Sequence, residues 1–565
     1  MPNDPNQPYP GGQYPSGAEY PGAPQPTVPQ YPGQGQYPGQ GQYPGQGQYP
    51  GQGQYPGQAP YHPGSTEVLG GTFLPQGRRA RRKGPVAAVA GVVGVATLGA
   101  GGYFAYGLVG GGGERADAML PANAVTVVTV DLDPSVSQKA GAIQFARKFP
   151  RSKDLDWDSA DKDPRKWVYE QVAKDEPTAP AWSEVTQWLG KRAGLAVLPP
   201  AAGTTEPSVV VALQVSDQAK AKASLAKMTD SGTKARVGVA GEGEWVLVSQ
   251  TQAEADAALA SAKGSSVADA PVYSADMKAL GGEGIANVWL DYAGLASVSG
   301  SLAARGPGLT VGASSLTGMT GMKGHGATTL RFDGAALELV GSFRDLNQAA
   351  MPFAGSTTVD VSAPADAIGT FSVGGLGGQM AAQWQPILDQ LNTLNGGSRK
   401  MTSVDLEEQT DLKLPGDLEA LLGDQLSLVV AGTAGDPSVG VRVKSSSPDL
   451  EGALGRLTAL ASERAGTVLT STTIPGGYAL SFGTPVAGLT EEGTLDSAPA
   501  FTAAVPNAGK ASAVGYLDIA RAVTAFAGDL SAADRADLAP LQSLGFSANR
   551  DGDSASSFTL RLTTK

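Results

Sequence analysis

The chain reads as an α+β protein, with two tandem copies of a mainly antiparallel sheet covered by helices following a disordered tail and one transmembrane helix. Three observations predict this. From Leu120 onward, strand-like and helix-like apolar periods alternate. A set of short motifs recurs at a near-constant separation, and a charge-free apolar stretch precedes both copies.

The tail is the plainest element. Residues 31–54 are four copies of Tyr-Pro-Gly-Gln-Gly-Gln, followed by the variant Tyr-Pro-Gly-Gln-Ala-Pro. Such a segment has almost nothing to bury, and its Pro and Gly oppose regular structure, so residues 1–84 are expected to be disordered. Tyr31, Tyr37, Tyr43, Tyr49 and Tyr55 could act either as part of a solvated spacer or as weak repeated stickers for a cytoplasmic partner.

Pro85 to Val109 carries no charge. As a helix it reaches roughly 37 Å, enough for a hydrocarbon core of about 30 Å. Tyr103, Phe104 and Tyr106 stand where an interfacial aromatic belt belongs, and Arg78, Arg79, Arg81, Arg82 and Lys83 immediately precede the span. That basic cluster is expected to keep the N-terminus in the cytoplasm, so the body is exported across the cell membrane. The expected organisation is then tail 1–84, bilayer span 85–109, linker 110–119, first copy 120–345, linker 346–361 and second copy 362–565.

The duplication rests on paired motifs. Leu120-Pro-Ala-Asn-Ala returns as Ala363-Pro-Ala-Asp-Ala, Leu189-Gly190 as Leu422-Gly423, and Pro207-Ser-Val-Val-Val as Pro437-Ser-Val-Gly-Val. Trp245 matches Tyr478, Tyr273 matches Phe501, Leu290-Asp291 matches Leu517-Asp518, and Thr329–Phe332 matches Thr559–Leu562. After the first pair the separations stay between 227 and 233 residues. The first copy is expected to carry an extra segment near 150–187, with the second copy leaner.

Within the first copy, Ala124–Asp131 is β-branched and apolar, a strand. Ser135–Phe149 has helical spacing, with Pro134 in the first-turn position. Val209–Val215 reads as a strand, with Asp217 poised to cap a helix over Gln218–Met228. Trp245–Ser249 reads as a strand, Gln252–Lys263 as an Ala-rich helix, and Ile285–Asp291 and Thr328–Phe332 as strands. Asp333-Gly334 then predicts a hairpin into Ala336–Phe343.

Composition excludes several chemistries. There is no cysteine, so disulfides, thiolate metal sites and thiol catalysis are ruled out. The net charge is −12, and because residues 1–84 hold five bases against three acids, the remainder is more acidic still, at −14. No basic face for nucleic acid is expected. Asp154, Asp156 and Asp158 open like a calcium loop, but Ser159 and Arg165 stand where Gly and the bidentate Glu are needed. Ser224-Leu-Ala-Lys227 fits a Ser-x-x-Lys pattern without its partner motifs. His325 is the one histidine outside the tail and is expected in a structural turn matching Arg550–Asp553. The adjacent pairs Glu407-Glu408 and Glu491-Glu492 would face opposite sides of a strand. Asp291 and Asp518 are expected to cap the helices that follow them. No catalytic, cofactor or metal residue is expected.

Several of these features together resemble DUF3352, an actinobacterial family of unknown function. They are Leu120-Pro-Ala-Asn-Ala, the run Leu189–Pro199, the Trp245 strand with its Ala-rich helix, and Ser266–Leu280 before Trp289-Leu-Asp-Tyr292. The resemblance covers most of 114–565 and implies a membrane-anchored extracytoplasmic protein, with no activity to carry over. The expected function is non-enzymatic binding of a protein or amphipathic ligand, with Trp167, Trp182 and Trp188 as candidate ligand contacts. The alternatives are a scaffold or sensor acting through the tyrosine repeats, and an envelope hydrolase using carboxylates alone.

Overall fold

The computed structural model describes residues 113–149, a few positions between 163 and 170, and 179–565 with interruptions, of which 228–236 and 305–322 are the longest. The tail, the basic cluster Arg78–Lys83, the expected span 85–109, Trp167 and the Asp154–Asp158 loop lie outside the described residues. Among the described residues, no helix is long and apolar enough to cross a membrane.

The body is α+β, built on a single sixteen-stranded antiparallel sheet. In its first half, chain order runs β1 Thr126–Asp131, α1 Val136–Ala146, α2 Trp182–Val185, β2 Leu189–Leu198, β3 Ser208–Val215, α3 Gln218–Leu225, β4 Gly238–Glu242 and β5 Trp245–Ser249. It continues with α4 Gln252–Gly264, α5 Pro271–Ala279, β6 Ala286–Asp291, α6 Tyr292–Ala304, β7 His325–Asp333 and β8 Ala336–Arg344. The second half runs β9 Gly369–Gly374, α7 Leu376–Ala382, α8 Trp384–Leu394, α9 Ser403–Thr410, α10 Gly416–Leu422, β10 Gln425–Thr433, β11 Asp436–Lys444 and α11 Leu450–Ala465. It closes with β12 Leu469–Ile474, β13 Gly477–Phe482, α12 Pro499–Ala504, β14 Ala513–Asp518, α13 Ile519–Ala525, α14 Ala532–Leu538, β15 Leu541–Arg550 and β16 Ser556–Thr564.

From one edge inward the strand order is β4, β5, β3, β2, β1, β6, β7, β8, and from the other it is β12, β13, β11, β10, β9, β14, β15, β16. The halves meet where β16 pairs antiparallel with β8, from Ser556↔Phe343 to Leu562↔Leu337. Glu338 is buried at this seam and accepts from Arg331 Nε at 2.9 Å and from Arg561. Arg561 also reaches Asp333 at 2.6 Å, so the charges of three strands neutralise one another beneath the helices.

Side-chain alternation divides the sheet into two faces. On the front, α4 and α5 bury Trp245, Leu247, Val210, Ala212, Tyr273 and Trp289. On the back, α3 and α6 bury Val209, Val211, Leu195 and Val197, and α1 sets Phe145 on Phe332. The local signals act as expected. Asp217 accepts from Lys220 N at 3.0 Å, Thr251 and Glu254 form a capping box on α4, and Gly334 turns the β7–β8 hairpin at φ +58°. Asp291 accepts from Gly294 N and Asp518 from Arg521 N, so both aspartates cap the helices that follow them.

Four sequence readings need correction. β15, not β16, occupies the place of β7, so Thr329–Phe332 and Thr559–Leu562 lie on strands of different position. Trp245 packs on the front whereas Tyr478 packs with Val443 on the back. That match is one residue out of register, and in a strand one residue exchanges the faces. The connections 132–188 and 375–424 occupy equivalent places, so the first half has no unique extra segment. Finally, His325 opens strand β7, while Asp551 and Gly552 lie in the β15–β16 connection, the place held by Asp333-Gly334 in the first half.

Asp417 on α10 is buried and receives Arg456 Nε at 2.6 Å and Nη2 at 2.5 Å from α11. The Arg456 guanidinium holds the Asp417 carboxyl below its ordinary range. Arg456→Ala leaves that carboxylate buried without its guanidinium and is expected to lower the midpoint of denaturant unfolding. Because the folded value is depressed, the pair stabilises the protein above the usual Asp range and loses its effect as pH falls through the folded value. The difference between wild type and Arg456→Ala should therefore be full at neutral pH and shrink in acid.

Candidate functional site

Three places concentrate unusual chemistry, and the first surrounds His325. Asp276 on α5 is fully buried, and its Oδ2 accepts from Trp289 Nε1 at 2.8 Å and lies 2.5 Å from His325 Nδ1. The other ring nitrogen, Nε2, is 2.9 Å from Asp345 Oδ2, and Arg344 Nη1 stands 3.8 Å from Asp276 Oδ1. Asp345 adopts φ +54°, outside the ordinary range for a residue with a side chain, where the chain leaves β8 for the second half. Both imidazole nitrogens therefore face carboxylates, and among the described residues no Ser or Thr hydroxyl bonds to the ring. The imidazole thus joins α5, β7 and the inter-half connection. The nearby Tyr292 phenol is pushed up to about 12 by burial, so it stays protonated at neutral pH.

The other sequence candidates also resolve into structural roles. Lys227 Nζ pairs with Glu184 at 2.7 Å rather than with Ser224, which is buried on α3. Glu407 and Glu408 lie on helix α9, where Glu407 accepts from Leu414 N at 3.1 Å. Glu491 offers its carbonyl to the buried Arg442, and Glu492 lies outside the described residues. Trp188 is core beneath α3, and the half-buried Trp182 packs on the same cluster against Tyr169, with the Arg165 guanidinium over its ring. Among the described residues no group of three or more His, Asp or Glu is placed to hold a metal ion.

The second place is a cleft of about 240 Å³ on the front of the second half, floored by Val359, Val361, Phe501 and Val505 and rimmed by Asp360 and Asp496. The same position in the first half is closed to about 20 Å³ around Arg115, Asp117 and Tyr273, room for roughly one water.

The third is the widest. On the back of the second half, Leu428, Phe371, Phe546 and Leu560 share one row across β10, β9, β15 and β16, with Gly515 of β14 between the two phenylalanines. The Phe371 and Phe546 rings stack 6.3 Å apart. A Cβ on Gly515 would stand 3.2 Å from Phe546 Cβ and 3.3 Å from Phe371 Cδ2, so glycine is what lets them meet. Phe371 and Leu517 are 38 % exposed, Leu428 39 % and Val439 37 %. Their counterparts by strand register in the first half, Leu195 and Val209 for Leu428 and Val439, are 6 % and 0 % exposed. The helices explain the contrast. Where α6 presses Leu295 and Val298 onto the sheet, the shorter α13 carries Ala522 and Ala525 at the matching positions. Exposed apolar side chains gathered in one row are unusual on a sheet face, where scattered ones are ordinary. Sequence reasoning missed it because the exposed residues follow the same apolar alternation as a buried strand.

With this geometry established, comparison with known protein families, curated proteins and solved structures finds no match.

Two outcomes follow. His325→Ala removes the ring that lies beside the buried Asp276 carboxylate and is expected to lower unfolding free energy by about 1–3 kcal/mol. Leu195→Ala should cost about 2–5 kcal/mol, whereas Leu428→Ala should cost less than about 1 kcal/mol, because a half-exposed side chain leaves no cavity. Chemical denaturation of the single variants reads all three values.

Proposed function

We propose that this chain is a non-enzymatic binding protein of the cell envelope, anchored by residues 85–109, whose open apolar face in the second half takes up an amphipathic ligand or partner. The observation that carries the reading is the pairing of one strand order with two unequal covers: Leu195 and Val209 are buried on the first half's back face, while their counterparts Leu428 and Val439 in the second are exposed. The reading also takes the halves as two copies of one unit. Supporting this are the aromatic pairs Tyr273–Trp289, edge to face, and Phe501–Tyr516, tilted, at matching front positions, and the helix caps Asp291 and Asp518. Placement in a DUF3352-like family, with the acidic body outside the cell, belongs to the same proposal and rests on the motifs and the Arg78–Lys83 cluster.

The test is binding of an apolar fluorescent probe, 1-anilinonaphthalene-8-sulfonate, to the purified full chain, together with native mass spectrometry. The expected result is fluorescence enhancement that falls at least fivefold in Leu428→Glu and Phe371→Glu and hardly changes in Val136→Glu, an exposed apolar residue on α1. An enhancement indifferent to Leu428 and Phe371 would overturn the reading.

A further inference from the structure

The two edges of the sheet are treated differently. At β4 the outward backbone of Val239 is already occupied, its N–H donating to Gln252 Oε1 at 3.0 Å and its C=O accepting from Gln252 Nε2 at 3.1 Å. Gln218 lies over Gly241 and donates to Gly243 O at 2.6 Å. This edge is closed by side-chain amides that imitate a neighbouring strand.

At β12 nothing comparable is present. The strand reads Leu469-Thr-Ser-Thr-Thr-Ile474, with no charge, proline or bulge, and Thr470–Thr473 are exposed. Its hairpin with β13 closes at Ile474↔Gly477, so Ile474, Thr472 and Thr470 spend their backbone groups inward. Leu469, Ser471 and Thr473 point theirs outward, and among the described residues no hydrogen bond takes them. Natural sheets protect such edges with lysine, proline, bulges or cover, and this one has none of these on the strand.

We propose that β12 is an interaction edge that pairs with β12 of a second copy of this chain, joining two sheets across a two-fold axis at Ser471. Antiparallel pairing about Ser471 sets Leu469 against the partner's Thr473 and Ser471 against the partner's Ser471. All three outward residues on each side then exchange both backbone hydrogen bonds, six in total by the antiparallel pattern. The same register sets Thr470 beside the partner's Thr472, a favourable cross-strand pair, and brings no like charges together. Pairing β12 with a partner's β4 would build an open filament, and the glutamines on β4 oppose it. The isologous pair is the arrangement that closes, and it is independent of the apolar back face.

The cysteine-free chain makes the test clean. In this register two Ser471 Cα atoms lie about 5.5 Å apart, within the span of a disulfide. Full-length Ser471→Cys, purified in detergent and mildly oxidised, is expected to give a covalent dimer, and Gly241→Cys on the closed edge is not. Thr473→Lys in the cysteine-free chain should raise the dimer dissociation constant at least tenfold by light scattering, while its thermal unfolding stays unchanged. A monomeric wild type, a dimer indifferent to Thr473→Lys, or equal cross-linking of Gly241→Cys would overturn the proposal.

Discussion

The β8–β16 seam is the interaction on which the rest depends. Among the described residues it is the one strand pairing between the halves, and it uses β16, the furthest along the sequence. Arg561 and Glu338, which meet there, are 223 residues apart in sequence. Closing so long a loop costs entropy, so the seam has to be held by contacts on both faces. It is: the Phe343 and Phe558 rings stack 5.9 Å apart on the back, and on the front Glu338 bridges Arg331 and Arg561, with Asp333 as the second carboxylate on Arg561. Gly341 faces Phe558 directly, with no Cβ to displace the ring.

Given one continuous sheet, the difference between the halves becomes consequential. The same strand positions carry the same apolar alternation, yet the helices above them differ in reach. Leu295 and Val298 on α6 pack on the first half with Val128 and Leu290 partly buried, while Ala522 and Ala525 leave Leu517 and Phe371 more exposed. On the front the direction is similar: the buried Asp117 and Tyr273, with Arg115 reaching in from the surface, fill the first half where the second has an open cleft.

Much of the fold was legible from residues alone, for identifiable reasons. Asp217, Asp291 and Asp518 are caps whose signal is local, and Asp333-Gly334 is a turn whose signal is local. The Tyr273/Phe501 match survived because both sit two residues after the Pro271 and Pro499 helix starts. What failed needed partners far along the chain. Trp245 against Tyr478 is a one-residue slip, invisible without the register of β5 on β3 and β13 on β11. The union of both halves in one sheet and the His325 clasp were equally hidden, since they depend on β16 meeting β8 and on α5 lying over β7. The tryptophans drew attention as rare residues, but Trp188 turned out to fill core, whereas the exposed face is made of ordinary Leu, Val and Phe.

The most direct measurement of the account is hydrogen exchange on the full chain, followed at residues 337–343 and 556–562. If the seam binds the halves into one sheet, these amides exchange as slowly as those in the middle of β10 and β11, and both halves lose protection together. Rapid exchange at the seam, with each half opening in a separate transition, would contradict it.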